Sequence, residues 1–368
     1  MKINIFFFVS NFGFGGAGNA ILNFLKKLDN KKFNIHIIYI GNTVYKKYLP
    51  SHVKILNINN NFLFFKTFLS FFEIKKIISK KIKHNKNNLF ISNIHYSNIL
   101  TIIFLRNLNK LKIFLFERTS LKELDIFFSI SSFVKNKIIK KLIKIFYKNA
   151  DGIYSNSKTS KKEFINIGLK SKVIYSGSIS KILPRRKFKK KKFYKLIAVG
   201  RLTKQKNYEL LINSLKLIKF KDYKLYIYGT GELKSSLKKL IFKNHMEKKI
   251  YLVANLKNKK NIYKDADLLI HTALYEGLPN NIVDCMNYGV PVIAYNGAGG
   301  ISEILNKGKF GELIYKHDPD HISLKINNFF NNPKVLQKKI LKSRSVLSRF
   351  TNVNTTTSLE REILNIFK

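Results

Sequence analysis

A chain of 368 residues with 45% hydrophobic residues is long enough to bury two domain cores, which excludes a disordered tail as the reading. Its one cysteine, Cys285, excludes an intramolecular disulfide framework and a cysteine-based metal site, and fits a reducing cytoplasm. The formal net charge of +48 favours anionic partners, nucleic acid or membrane, but lysine, asparagine, isoleucine and phenylalanine run through the whole chain, so compositional bias accounts for the charge equally well.

The opening run Ile3 to Val9 leads through a glycine-rich turn, Gly13 to Gly18, into a helical pattern carrying Ile21, Leu22 and Leu25. This is a buried first strand followed by a helix, and it argues against a signal peptide. No apolar run approaches the ~18 residues needed to span a bilayer, because Lys66, Arg106 and other lysines interrupt each candidate. The expectation is a cytoplasmic protein, free in solution or peripheral on the inner face of the cytoplasmic membrane.

Further strands are predicted at Ile35 to Ile40, Val53 to Leu56, Leu89 to Ser92, Ile113 to Phe116, Gly152 to Ser155 and Val173 to Tyr175, with helical patterns between most of them. A doubly wound α/β sheet follows. Within this half, 127–147 interleaves Phe133, Val134, Ile138, Ile139, Leu142 and Ile143 with Lys135, Lys137, Lys140, Lys141 and Lys144. That pattern suits either a basic amphipathic helix on anionic lipid headgroups or a surface helix packing one face on the sheet.

The charged run PRRKFKKKK, Pro184 to Lys192, has no periodicity and reads as an interdomain linker. The second half repeats the grammar with strands at Leu196 to Val199, Leu225 to Tyr228, Ile250 to Val253, Leu268 to His271 and Val292 to Ala294. The expected organisation is a first Rossmann-like domain over 1–183, a linker over 184–193, a second Rossmann-like domain over 194–350, and a terminal helix over 351–368 that packs back on the first domain.

In an open α/β sheet, ligands bind beyond the carboxyl ends of the strands, where the following helices offer unpaired N–H groups. The strand ending at Val199 is followed by Arg201 and Lys206, five positions apart and able to neutralise a diphosphate. The next strand ends in Gly229, Thr230, Gly231 and Glu232, a tight turn without the third glycine of a dinucleotide fingerprint. After Leu268 to His271 come Glu276, Gly277 and Pro279, then a helix bearing Asp284, so two carboxylates stand where sugar hydroxyls could be held. A cap and a surface acid are the structural alternatives for those two. Asn296 to Gly300 forms another loop at the same edge, and Asp265 and Asp267, just before a buried strand, read as turn and capping acids rather than metal ligands.

Taken together, VGRLTKQKNYELLI, IYGTGELKSSL, LYEGLPNNIVDCMNYGVPVIAY and GAGGISEIL resemble the family four retaining glycosyltransferases over roughly Lys195 to Leu313, with the opening strand and the Gly15, Gly16 loop extending the likeness into the first half. The resemblance implies the GT-B fold, two Rossmann-like domains with a cleft between them, and transfer of a hexose or N-acetylhexosamine with retained configuration and without metal or other cofactor. The donor would be a nucleotide diphosphate sugar, UDP favoured; the acceptor would be an envelope polysaccharide, lipopolysaccharide or lipid-linked glycan. Arg201 and Lys206 would grip the diphosphate, with Gly16 closing over it. Glu276 would contact the transferred sugar, Gly277, Leu278, Pro279 and Asn280 would orient sugar and phosphate through their backbone, and Asp284 would address the ribose.

The chain departs from the family at two places. Asp284 stands where glutamate is usual, one methylene short. Glu117, Arg118 and Thr119 stand where many relatives carry a histidine; Glu117 is either an acid, base or acceptor ligand, or half of an internal ion pair with Arg118 or another cation, and His95 is a further acceptor-side candidate. The rival readings are another enzyme of the same architecture, such as a nucleotide-sugar epimerase, and a basic nucleic-acid-binding protein, for which no recognised binding module is present.

Overall fold

The computed structural model describes the chain except for Met1, Phe14, residues 59–65, Asn85, Lys190 and residues 255–257. Lys190, in the stretch read as a linker, therefore lies outside the described residues. The chain divides into two units, Met1–Ser180 with Arg349–Lys368, and Lys181–Ser348.

The first unit runs β1 (Ile3–Val9), α1 (Gly16–Lys27), β2 (Phe33–Ile40), β3 (Lys54–Ile58), α2 (Lys66–Lys81), β4 (Asn88–Asn93), α3 (His95–Leu105), β5 (Leu111–Glu117), α4 (Ile130–Phe146), β6 (Gly152–Ser155), α5 (Lys158–Asn166) and β7 (Lys172–Val173). Its seven strands are ordered β3-β2-β1-β4-β5-β6-β7, every pairing parallel. A parallel sheet is covered on both faces, so its central strands read as continuous apolar runs. In β1, Ile5, Phe7 and Val9 enter one core and Phe6 and Phe8 the opposite one.

The second unit runs β8 (Tyr194–Val199), α6 (Tyr208–Leu215), β9 (Tyr223–Tyr228), α7 (Lys234–Lys243), β10 (Ile250–Val253), α8 (Lys259–Tyr263), β11 (Leu268–His271), β12 (Tyr275–Glu276), α9 (Asn280–Tyr288), β13 (Val292–Tyr295), β14 (Ala298–Gly299), α10 (Ile301–Ile304), β15 (Glu312–Ile314), α11 (Pro319–Asn331) and α12 (Pro333–Lys342). Its main sheet is ordered β10-β9-β8-β11-β13-β15 and is again wholly parallel. Both sheets thus reverse direction beside their first strand, the arrangement in which strand ends form a ligand crevice.

The last helix, α13 (Asn352–Ile366), belongs to the first unit, where it packs against α1. Leu359 and Ile363 join the core on the α1 side of the sheet, a burial that contributes roughly 1.5–3 kcal/mol each. The basic run 184–193 lies inside the second unit and is tied to it: Lys191 Nζ bonds Asp267 at 2.7 Å and Arg186 Nη1 donates to the Ala266 carbonyl. Asp267 also accepts from the Lys195 backbone N–H at 2.9 Å. It is therefore a clamp between β8 and the basic run, not the turn or capping acid its sequence position suggests.

Candidate functional site

Because β8, β9, β11 and β13 are parallel, the loops after them collect at one edge of the second sheet. The loop after β8 is pinned from three sides: Leu202 N–H donates to the Thr230 carbonyl (2.9 Å), Leu274 N–H to the Gln205 carbonyl (2.9 Å), and Thr272 Oγ1 to the Lys206 carbonyl (2.9 Å). Gly229 is required there, since a Cβ on it would overlap the Gly200 carbonyl. Asn207 then takes a left-handed conformation (φ 48°) and starts α6, its side chain facing His317 Nε2 at 2.9 Å.

This frame sends Lys206 onto Glu276, Nζ against Oε1, with both side chains nearly buried. Burial alone would raise the Glu276 carboxyl, but the Lys206 charge, then His271 and Arg201, outweigh it and hold the group below the usual carboxylate range. His271 Nε2 lies 3.5 Å from the same Oε1, and burial lowers the imidazole to about 4, so the ring is neutral at pH 7. Asn281 supports it, meeting His271 Nδ1 at 3.2 Å and donating to the Val199 carbonyl at 2.7 Å. Arg201, in contrast, is exposed and makes one long bond, 3.4 Å, to Gln205 Oε1.

Glu276 is held from below by a second, two-strand sheet in which Glu276 pairs with Gly299. Gly299 has φ 106°, and a Cβ on it would overlap the Glu276 carbonyl, so the glycine loop after β13 exists to let the Glu276 strand seat. Gly300 N–H donates to the Gly277 carbonyl at 2.9 Å. Beyond Gly277 and buried Leu278, α9 begins after Pro279 at Asn280 with no side-chain cap and no acid in its first turn, leaving its positive end to an anion. Asp284, a turn further on, is buried and takes Lys259 Nζ at 2.8 Å; burial raises its carboxyl, against the opposing pull of Lys259 and Tyr263. Asp265 is exposed and Asp267 is already engaged by Lys191 and Lys195.

In the first unit, Gly15 and Gly16 are exposed at the start of α1, again without a side-chain cap. Ile94 has φ 75°, a strained value for a β-branched residue, and its N–H is held by the Phe116 carbonyl at 3.0 Å. His95 follows at the start of α3, with Nδ1 3.4 Å from Glu123 Oε1; burial lowers it to about 4. Glu117 closes β5 and is 1% exposed. Its Oε1 accepts from Tyr147 Oη and from Asn98 Nδ2 (2.9 Å), and burial pushes the carboxyl up to about 8. Arg118 instead turns its Nε to Asn93 Oδ1 (3.1 Å) and lies 4.9 Å from the Phe116 ring centroid. The hydrogen-bond partners of Glu117 are thus a phenol and an amide, while the nearby Arg118 charge only partly offsets the effect of burial.

The second unit therefore brings Arg201, Lys206, Glu276, Gly277, Leu278, Pro279 and Asn280 to one sheet edge, with Asp284 on the helix behind. Sequence reading passed over His271, Thr272 and Asn281; the signal for His271 was its place as the last residue of an otherwise aliphatic strand.

Residues 179–345 match the family model described as glycosyl transferases group 1. An uncharacterized glycosyltransferase of Methanocaldococcus jannaschii is 30% identical over 185 residues, 46% of each chain. The amylovoran biosynthesis glycosyltransferase AmsD of Erwinia amylovora is 32% identical over 111 residues, 30% of this chain and 32% of its own. The matched stretch thus spans less than half the length of these relatives. In three dimensions the chain is similar to Anabaena HepE, solved in complex with UDP-glucose, with TM-score 0.79 at 17% identity over 99% of this chain and all of the other. Residues 179–345 thus resemble the group 1 glycosyl transferases, and the chain has the GT-B fold.

Proposed function

We propose that the protein is a retaining, metal-independent glycosyltransferase. It moves a hexose or N-acetylhexosamine from a nucleotide diphosphate sugar, UDP favoured, to an envelope polysaccharide, lipopolysaccharide or lipid-linked glycan. The observation that carries this reading is the Lys206 and Glu276 pair beside exposed Arg201 and the uncapped start of α9. The relatives' names support the class of chemistry: HepE was solved with UDP-glucose, and AmsD is named for amylovoran biosynthesis.

In this mechanism the bond between the sugar's anomeric carbon and the phosphate oxygen breaks through an oxocarbenium-like state. An acceptor hydroxyl forms the new bond on the same face, and its proton passes to the departing phosphate. Negative charge develops on that phosphate, and Arg201, Lys206 and the α9 N-terminus stabilise it without a metal. Lys206 also fixes Glu276 as an ionised acceptor for the sugar hydroxyls. Backbone groups of Gly277 to Asn280 orient sugar and phosphate, Asp284 accepts from the ribose, and Gly15 and Gly16, without side chains, count among the donor-binding residues of this reading. Glu117, protonated at pH 7, and neutral His95 act on the acceptor side as hydrogen-bonding groups. The enzyme works at the cytoplasmic side of the envelope, where its acceptors are assembled.

Thermal stabilisation by UDP, GDP and ADP, without added metal, tests the donor site in the wild type and in the Arg201→Ala and Lys206→Ala proteins. One nucleotide should raise Tm in the wild type and neither substituted protein should respond. A nucleotide shift that survives both substitutions would place the phosphate site elsewhere.

A further inference from the structure

The first unit carries a surface that the donor site does not use. Seven large hydrophobic side chains are exposed between Phe127 and Ile145, and no other stretch of the described chain exposes them so densely. At 100° per residue, Ile130, Val134, Ile138 and Ile145 fall on one stripe of α4, opposite the Ile139 and Ile143 side that enters the core. Ile130 is 85% exposed and Ile138 53%. Lys137, Lys141 and Lys144 lie along the same stripe or its edge, all exposed. In front of the helix, Phe127 packs edge-on to Phe133, and Lys137 Nζ sits 4.4 Å from the Phe133 ring centroid.

The helix is also firmly begun. Ser129 and Ser132 form a reciprocal cap, with Ser132 N–H bonding Ser129 Oγ at 3.2 Å and Ser129 N–H bonding Ser132 Oγ at 3.0 Å. The apolar residues at its start are therefore displayed on a formed helix. Beside the stripe, a groove of about 390 Å³ runs between α4, residues 121–125 and α5, with Lys122, Lys141 and Lys144 on its wall and Ile143 and Ile167 among its apolar lining.

Compositional bias explains single lysines and isoleucines anywhere on this chain, but not seven large apolar side chains gathered in water between Phe127 and Ile145 and interleaved with exposed lysines. Large exposed apolar patches mark interaction surfaces, and apolar residues amid basic ones suit a layer that is hydrocarbon beneath and anionic at its surface. No helix among the described residues is long and apolar enough to cross a membrane. We propose that the face of α4 bearing Ile130, Val134, Ile138 and Ile145, with Lys137, Lys141 and Lys144, is a docking surface on which the protein rests against an anionic lipid bilayer.

Co-sedimentation of the full chain with vesicles tests this independently of any transferase activity. The chain should bind phosphatidylcholine vesicles containing about a third phosphatidylglycerol, bind pure phosphatidylcholine vesicles weakly, and lose affinity as salt rises. The triple variant Ile130→Asp, Val134→Asp, Ile138→Asp and the triple variant Lys137→Glu, Lys141→Glu, Lys144→Glu should each reduce partitioning by at least roughly a hundred-fold, since one lysine near the surface is worth about five-fold. The control is Lys234→Glu, Lys238→Glu, Lys239→Glu on α7, which changes the net charge as the lysine variant of α4 does, at an exposed site, and should leave binding within about five-fold of wild type. All three variants should keep the wild-type melting temperature. The proposal is overturned if the α7 control loses binding as the α4 variants do, if the α4 variants bind normally, or if the α4 lysines are required for retention of random RNA while vesicles are not bound at all.

Discussion

Lys206 Nζ rests on Glu276 Oε1, joining a loop that follows β8 to a strand that follows β11, 70 positions later in the chain. Arg201 stands in the same loop with its guanidinium in solvent. The two cations therefore respond differently to removal. Lys206→Met leaves a nearly buried carboxylate without its cation and should cost about 3 kcal/mol of stability. Arg201→Ala removes an exposed side chain and should change stability by no more than about 0.5 kcal/mol. Denaturant unfolding of both, beside the nucleotide-induced shift in Tm, separates the roles: Lys206→Met should lose stability and binding together, Arg201→Ala binding alone.

Support of Glu276 from beneath gives a second prediction. Gly299→Ala places a Cβ on the Glu276 carbonyl at a left-handed φ of 106°, so the two-strand sheet must open. The expected loss is roughly 2 kcal/mol or more, with transferase activity falling further than Glu276→Gln alone would reduce it. Gly15→Ala is the counterpart. Gly15 has an extended φ of 162° and a Cβ added to it would meet nothing within 4 Å, so the protein should fold as wild type. If its loop approaches the donor, KM for the nucleotide sugar rises while Tm stays unchanged.

The doubly wound architecture was legible because parallel strands buried on both faces leave continuous apolar runs, as in Ile3 to Val9 and Leu268 to His271. Strands β12, β14 and β15 were not, since two or three residues carry no periodicity. Strand ends predicted where Arg201, Lys206 and Glu276 would stand, and all three do follow such ends. Their pairing was hidden, because a contact 70 positions apart leaves no local trace and lysines abound. Glu117 shows the same gap: sequence offered Arg118 as a neighbour, whereas Asn98 and Tyr147 reach it from α3 and the end of α4.

Asp265 and Asp267 form an acid-x-acid string, and the structure separates them by function. Asp267 Oδ1 and Oδ2 are taken by Lys191 and by the Lys195 backbone, while Asp265 is exposed. Transfer should therefore proceed at an unchanged rate in excess EDTA. Asp267→Asn should lower stability by roughly 1–3 kcal/mol through loss of the charged partner of Lys191, with kcat retained at temperatures where the protein stays folded. A product assay with radiolabelled nucleotide sugar, with and without EDTA, checks both statements.

Stability of the first unit should peak near pH 6.5 through two opposed titrations. His36 and His95 fall from an ordinary 6.5 to about 4, chiefly by burial. Between those values the unfolded chain binds more protons than the folded one, so the stability they contribute is present above pH 6.5 and is lost as pH falls toward 4. Glu117 behaves in the opposite sense. Burial raises it from 4.5 to about 8, so the folded chain keeps a proton that the unfolded chain releases. Its contribution is fully present below pH 4.5 and is lost as pH rises to 8, at about 1.4 kcal/mol per pH unit. Below pH 6.5 the two histidines outweigh the one glutamate; above it only the glutamate acts. Glu117→Gln keeps an oxygen for Tyr147 and Asn98 but cannot ionise, so urea unfolding from pH 5 to 8 should show the falling limb in the wild type and a level line above pH 6.5 in the variant. A falling limb that persists in Glu117→Gln would assign it to another group and remove the argument that Glu117 is protonated when the acceptor arrives.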